Sequence, residues 1–494
     1  MPNPSAMSSS KSSTDASQRQ ALSGLAFSYA DLPAVMYTRV APRPVRAPAL
    51  RVLNEPLAVR LGLDPTALST PAGIRLLAGC DMPDARLALA EAYAGHQFGH
   101  FVILGDGRSQ LLGEIIAPDG ERFDIQLKGS GATPYARGGD GRAALAPMLR
   151  EYLISEAMHA LGVPTTRSLA VMTTGEPVYR DRALPGAILA RIAASHIRVG
   201  TFQFAAMQGP DCLRALADYT IQRHDPDLKD RANPYLGLLE RVIERQAALI
   251  ARWMLLGFVH GVMNTDNVSI AGETIDYGPC AFIDVYDPAT VFSSIDRQGR
   301  YAYGNQPAIG HWNLCRFAES LLPLLDADES KALELAQTAI DTYAPHYDSA
   351  WRNGLANKLG FKARSADIDQ LGTDFLEQLA MSRADMTNSF RALLQPETLD
   401  PSFQQWLERW RRLIDQQPGS QQAALALMAQ MNPVVIPRNH LVQAALDDAE
   451  QGDMTRFHEL LKACATPYDI AHETSVYANP PPANFEPYVT YCGT

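Results

Sequence analysis

The sequence predicts an α+β protein whose β-rich first part, up to about residue 197, gives way to a mostly helical remainder. Three observations carry this. Two strand-like runs, residues 111–116 and 123–127, flank the turn Pro118-Asp119-Gly120 and predict a hairpin. Residues 140–161 place Leu145, Leu149, Tyr152, Leu153, Ala157 and Ala160 at helical spacing, with Asp140 as the expected cap and Gly162 as the stop. Beyond residue 200 the periodicity is helical: Asn233-Pro234 opens a helix with Leu239, Val242, Ile243, Gln246, Ile250, Trp253, Met254 and Gly257 on one stripe, running into His260-Gly261.

Further strands are expected at 168–173 and 187–192, and a short hairpin at 268–270 and 273–275 around Ala271-Gly272. Residues 312–465 read as helices, and the Pro-rich end, NPPPANFEPYVTYCGT, as an extended tail. The expected organisation is a Ser-rich tail to residue 25, an extension over 26–90, a β-rich lobe over 91–197, a helical lobe carrying the catalytic and metal-binding loops over 198–345, a helical region over 346–470 and a tail from 471. A chain of 494 residues, 46% hydrophobic and 20% charged, is that of a globular enzyme. Its net charge of −11 argues against a nucleic-acid partner, which is bound through accumulated Lys and Arg. No apolar run approaches the roughly 18–20 residues that span a bilayer, and no signal-like stretch opens the chain. Six cysteines without CxxC spacing suit neither a disulfide scaffold nor a zinc site. A monomer in a reducing cytoplasm is expected.

The residues suited to chemistry fall in a defined order. A glycine turn, Gly105-Asp106-Gly107-Arg108, is followed by Lys128 ending a strand, then Glu151 on a helix, with Glu156 competing for the same role. Next come His260-Gly-Val-Met-Asn-Thr-Asp266-Asn267 and Asp276-Tyr277-Gly278. That is the order of a protein-kinase core, in which backbone approaches the nucleotide, the lysine grips phosphate oxygens, the glutamate pairs with the lysine, and acidic or amide oxygens hold metal. A kinase-like bilobal core with additional C-terminal helices is therefore expected. Taken singly, each element also has an ordinary reading: a structural turn, a strand-end charge, a solvated helix face. The catalytic loop departs from the kinase pattern, since Gly261-Val262 stands where kinases carry Arg-Asp and Asp266 adjoins Asn267. Asp266 is the best remaining proton acceptor, with Asn267 and Asp276 as ligands for a hard cation.

A basic cluster follows the glycine turn: Arg137-Gly-Gly-Asp140-Gly141-Arg142, then Arg191 and Arg198. Arg191 interrupts an apolar strand and needs an anionic partner, either a carboxylate or a nucleotide phosphate. Gly139 to Gly141, before a helix, offer backbone N–H groups to an anion.

The runs LAEAYAGHQFGHF, LGDGRSQLLGE, LKGSGATPYARGGDGRA, HGVMNTDN, DYGPCAFID and NPVVIPRNH resemble the selenoprotein O family of protein adenylyltransferases, also known as YdiU, over nearly the whole chain. The resemblance implies a kinase-like fold binding ATP in inverted orientation, so that AMP passes to Ser, Thr or Tyr hydroxyls of target proteins. It implies nucleotide contacts from Gly105, Gly107, Arg108, Lys128, Asp140, Gly141, Arg191, Arg198 and Asp276. Asp266 would be the proton acceptor, and Asn267 with Asp276 would hold Mg2+. The rival readings are an ordinary kinase, a non-catalytic nucleotide-binding scaffold, and UMP transfer with Mn2+. Cys280, two residues past Asp-Tyr-Gly, and Cys492, near the position where some members carry selenocysteine, are expected to form a redox switch; Gly493-Thr494 departs from the Ser-rich ending common in the family.

Overall fold

The computed structural model describes residues 24–82, 87–417, 419, 421–482, 484–485 and 488–490. The chain forms two compact units: one holds residues up to Ala92 with Leu104–Met148 and Arg167–Ser195, the other Tyr93–Ile103, Leu149–Thr166 and the chain from His196 onward. In chain order the strands are β1 (Tyr37–Arg39), β2 (Ala49–Leu53), β3 (Leu89–Glu91), β4 (Ala94–Gln97), β5 (His100–Ile103), β6 (Ser109–Ile116), β7 (Arg122–Lys128), β8 (Ala143–Ala144), β9 (Arg167–Tyr179), β10 (Ala183–Ala193), β11 (Phe258–Val259) and β12 (Ala281–Phe282).

The first unit is built on a sheet of order β1-β3-β6-β7-β10-β9-β2, with β8 paired on β10. Its described pairings are antiparallel. The β6–β7 hairpin turns at Asp119-Gly120, as expected, with Glu121 N–H bonded to the Asp119 carboxylate at 3.0 Å. Strand alternation divides the side chains between two faces. Ile125, Leu127, Ile188, Ala190 and Ile192 pack on Leu57, Leu61, Leu68 and Leu77 from short helices, a core in which each buried Leu or Ile contributes roughly 1.5–3 kcal/mol. The opposite face receives Asp124, Gln126 and Lys128 of β7, directly across from Ala193, Arg191 and Leu189 of β10. β9 and β10 extend the two expected strands at both ends.

The helix expected from Asp140 begins later, as Leu145–Ala160. Asp140 instead accepts the Arg142 N–H at 2.9 Å, and residues 143–144 are drawn into β8 by their pairing with β10. Gly162, at φ 79°, follows the helix as predicted.

The second unit is helical. Asn233 caps the Pro234–Leu256 helix by accepting the Leu236 N–H at 3.0 Å, and Gly257 ends it at φ 72°. From this buried helix Gln246 donates to the Ser269 carbonyl at 2.7 Å and Trp253 Nε1 to Thr274 Oγ1 at 2.9 Å, fixing the segment that follows the catalytic loop. The hairpin expected at 268–275 does not form. Ser269 bridges to Arg198 and Thr274 to Thr165, so the backbone groups of each arm find partners far away in sequence, while Gly272 N–H closes a turn on the Ser269 carbonyl at 3.1 Å.

Helices then run from Gln306–Leu325 to Thr455–Cys464. Among them Phe375 packs on Phe390, Phe403 and Trp406, with ring centroids 4.6–5.6 Å away. Arg438, 1% exposed, ties Asp284 to Asp385 through contacts of 2.7 and 2.5 Å, which offsets the cost of burying its charge. No helix among the described residues is long and apolar enough to cross a membrane.

Lys358 is 3% exposed, with Nζ 4.3 Å from the Phe390 ring centre. Burial pushes its ammonium down to about 7 from 10.5. Across that window the unfolded chain holds a proton that the folded chain has lost, so stability rises with pH. Relative to Lys358→Met, the wild type should gain about 1.4 kcal/mol per pH unit between pH 7 and 10 in urea unfolding. Parallel stability–pH curves for the two proteins would refute this.

Candidate active site

In the first unit the glycine turn is dictated by close packing. A Cβ on Gly105 would lie 2.4 Å from the Tyr135 ring, and one on Gly107 2.9 Å from the Tyr135 carbonyl. Between them Asp106 turns inward, its Oδ2 accepting from Glu91 N–H at 3.2 Å and Gln126 Nε2 at 3.1 Å. Gln126 Oε1 in turn accepts from Arg191 Nη2 at 2.5 Å. Asp106, Gln126 and Arg191 thus form a buried polar chain on the face that also carries Lys128. Sequence reasoning singled out Arg191 and missed Gln126 as its partner; the alternation Asp124-x-Gln126-x-Lys128 was the available signal. Arg108 is half-buried, and its carbonyl accepts the Gly129 N–H at 2.8 Å. Gly141, at φ 68°, brings its backbone against Ala132, where a Cβ would lie 2.0 Å from the Ala132 nitrogen. Asp140 is exposed and paired with Arg180 at 2.9 Å, and this hydrogen bond holds its carboxyl below the usual carboxylate range.

In the second unit the catalytic loop is organised by Arg198. Its Nη1 donates to Asp276 Oδ2 at 2.8 Å and to the Asp266 carbonyl at 2.9 Å, while its guanidinium lies 4.7 Å from the centre of the Tyr93 ring. Arg198 and Asp276, expected on a phosphate and a metal, therefore also hold each other. Asp266 sits on a short turn, Thr265–Asn267, and is 7% exposed. Burial pushes its carboxyl up to about 6, against the pull of Arg198, and Oδ1 is buried without a hydrogen-bond partner. Asn267 donates Nδ2 to the Val262 carbonyl at 2.9 Å, which leaves its Oδ1 as an oxygen donor. The Asn267 amide oxygen and the half-buried Asp276 carboxylate are oxygen donors of the kind a hard divalent cation takes. His260 is structural: its Nε2 meets the Ile275 carbonyl at 2.9 Å, and burial keeps it neutral by lowering its pKa. Glu151, 2% exposed, is buried where Glu156 is half-buried. It lies in the second unit and Lys128 in the first.

Sequence reasoning missed the β4–β5 hairpin as a partner of this loop. Its two-residue turn, Phe98-Gly99, has φ of 50° and 88°, the conformation of a tight hairpin turn. His96 N–H donates to Thr265 Oγ1 at 2.7 Å, Phe98 N–H to Asn264 Oδ1 at 3.1 Å, and Gln97 Nε2 to Asp266 Oδ2 at 3.5 Å. Gly95 packs so closely that a Cβ there would lie 2.2 Å from Asp266 Oδ1. Tyr301 OH donates to Asn264 Oδ1 at 2.6 Å from the other side.

Cys280 is fully buried, its thiol pushed up to about 11 by desolvation, which suppresses the reactive thiolate. Cys492 lies outside the described residues. Thr490 Oγ1 donates to the Pro279 carbonyl at 2.9 Å, so the tail reaches the residue next to Cys280.

A buried carboxylate beside further oxygen donors and a paired guanidinium is the equipment of metal-assisted group transfer. Residues 25–465 match the family model described as protein adenylyltransferase SelO. A relative from Halalkalibacterium halodurans is 58% identical over 476 residues, 94% of this chain and 96% of its own. Relatives from Alkaliphilus metalliredigens and Geobacillus kaustophilus are 57% and 56% identical, again over 94% of this chain and over 96% and 98% of theirs. All three are called protein nucleotidyltransferase YdiU. The chain belongs to the SelO protein adenylyltransferase family.

Gly95→Ala should push the Asp266 carboxylate aside. Misplacing a reacting group by about 1 Å costs on the order of a hundredfold in rate, so single-turnover nucleotidyl transfer should fall by that order while ATP affinity holds. A variant with wild-type turnover would show that Asp266 does not act from this position.

Proposed function

We propose that this chain transfers AMP from ATP to Ser, Thr or Tyr hydroxyls of other proteins, on a protein-kinase-like core whose β-rich lobe is the first unit and whose helical lobe is the second. The observation that carries the reading is Asp266, a buried carboxylate with one unpartnered oxygen, on a loop flanked by the oxygen donors Asn267 and Asp276. Family membership and the names of the relatives support it.

The acceptor hydroxyl gives its proton to Asp266 as its oxygen attacks the α-phosphorus. The bond from that phosphorus to the bridging oxygen breaks, and pyrophosphate leaves with the electron pair. Asn267 and Asp276 would hold Mg2+, which neutralises phosphate charge when bound. Arg198 holds the Asp276 carboxylate in place. Lys128, Arg108 and Arg191 hold phosphate oxygens, and Gly105, Gly107 and Gly141 let backbone approach the nucleotide, with Asp140 fixing the glycine loop through Arg180. The relatives' broader name, nucleotidyltransferase, covers UMP transfer as well; that transfer, from UTP with Mn2+, is the second reading.

ATP labelled at the α-phosphate should leave label on protein, and ATP labelled at the γ-phosphate should not. Asp276→Ala, which removes a metal ligand and the partner of a buried guanidinium, should lower transfer on the order of a hundredfold or more. Protein-bound γ-label would establish a kinase instead, and faster labelling from α-labelled UTP would establish the second reading.

A further inference from the structure

Acceptor recognition has no residue assigned to it so far, and one surface beside Asp266 has the composition for it. The β4–β5 hairpin turns one face to Asp266 and the other to this surface. Gly95 and Gln97 of β4 touch the Asp266 carboxylate. The His96 ring, between them in sequence, packs 5.0 Å from Phe101 of β5 and 5.3 Å from Trp312. Arg300 lies with its guanidinium 4.8 Å from the centre of the Trp312 ring, and the next residue, Tyr301, is bonded to Asn264 of the catalytic loop.

Two features of this surface point to a ligand. Arg316 also packs on Trp312, at 5.3 Å, but is paired with Glu319. Arg300 packs on the Tyr301 and Trp312 rings, the Asp296 carboxylate accepts its backbone N–H at 2.9 Å, and among the described residues its side chain makes no ion pair with a carboxylate. Stacking fixes the plane of the guanidinium and leaves edge N–H donors for a carboxylate. Phe101 and Ile103, two apart on β5 and so on one strand face, are 43% and 56% exposed, an apolar shelf next to the charged group.

Resting on the AMP-transfer reading, we infer that this surface receives the acceptor protein, and that Arg300 selects a carboxylate close to the acceptor hydroxyl while Phe101 and Ile103 take an apolar neighbour. The partner is an acidic, hydroxyl-bearing protein segment.

The test is binding of short synthetic peptides without nucleotide, so that it is independent of whether AMP moves. The probes carry one tyrosine flanked by glutamates, glutamines or lysines beside a leucine. Wild type should bind the glutamate peptide about tenfold tighter than the glutamine peptide, the scale of one charge-assisted hydrogen bond. Arg300→Gln should abolish the difference, Arg300→Lys should keep part of it, and Arg300→Glu should turn the preference to the lysine peptide, which also shows that the variant is folded. No preference in wild type, or an undiminished one in Arg300→Gln, would overturn the assignment. Preference intact without α-label transfer would count against the AMP reading alone.

Discussion

The catalytic loop depends on the buried guanidinium of Arg198. A charge that is 3% exposed is tolerated only when acceptors stand around it, and here two of those acceptors belong to the chain segments that must be held together. Nη1 reaches the Asp266 carbonyl and the Asp276 carboxylate, while the Arg198 backbone bridges to Ser269. One side chain therefore sets the spacing between the proposed proton acceptor and a proposed metal ligand. Asp276 pays part of the cost in backbone strain, with φ at 62°. Glycine would relieve the strain but remove the carboxylate that Arg198 needs.

What could be read in the sequence was what local rules determine. Asn233 before Pro234 opened the long helix correctly, because a cap is made by neighbours in the chain, whereas Gly257, read onto the helix stripe, is the left-handed residue that ends it. Alternation marked Arg191 as a charge within an apolar strand, because side-chain direction in a strand follows from position, but that it shares a face with Lys128 came from the pairing of β7 with β10. Where a residue had a choice between local and distant partners, local reasoning failed. Asp140 suits a helix cap, yet β8 pairing with β10 delays the helix to Leu145. Residues 268–275 have the pattern of a hairpin, yet Arg198 and Thr165 supply better-placed backbone partners.

The candidate site shows the same division. Asp266, Asn267 and Asp276 were singled out by their spacing, but the hairpin that clamps Asn264, Thr265 and Asp266 was not. His96 and Thr265 are 169 residues apart, and nothing near either one announces the contact. Gly95 is visible as a glycine in any reading, but only the fold shows that its missing Cβ is what lets backbone approach the Asp266 carboxylate. Gln126 likewise looked like one polar residue in an alternating strand until Asp106 and Arg191 closed on it.

Two of the places where local rules are broken fall on the candidate site and its clamp. Of the four described non-glycine residues at positive φ, Phe98 lies on the hairpin turn bonded to Asn264, and Asp276 is the partner of Arg198. Asp266 holds a buried oxygen with no donor, a situation that costs roughly 1–3 kcal/mol in a folded protein. A hydroxyl donating to that oxygen, or a cation beside it, would remove the cost, so the site is least comfortable when empty and gains most from the species it is proposed to bind. Strain, close approach and an unsatisfied carboxylate concentrated on one loop and its clamp are what a fold retains for chemistry, since each would be removed by an ordinary substitution if stability alone decided.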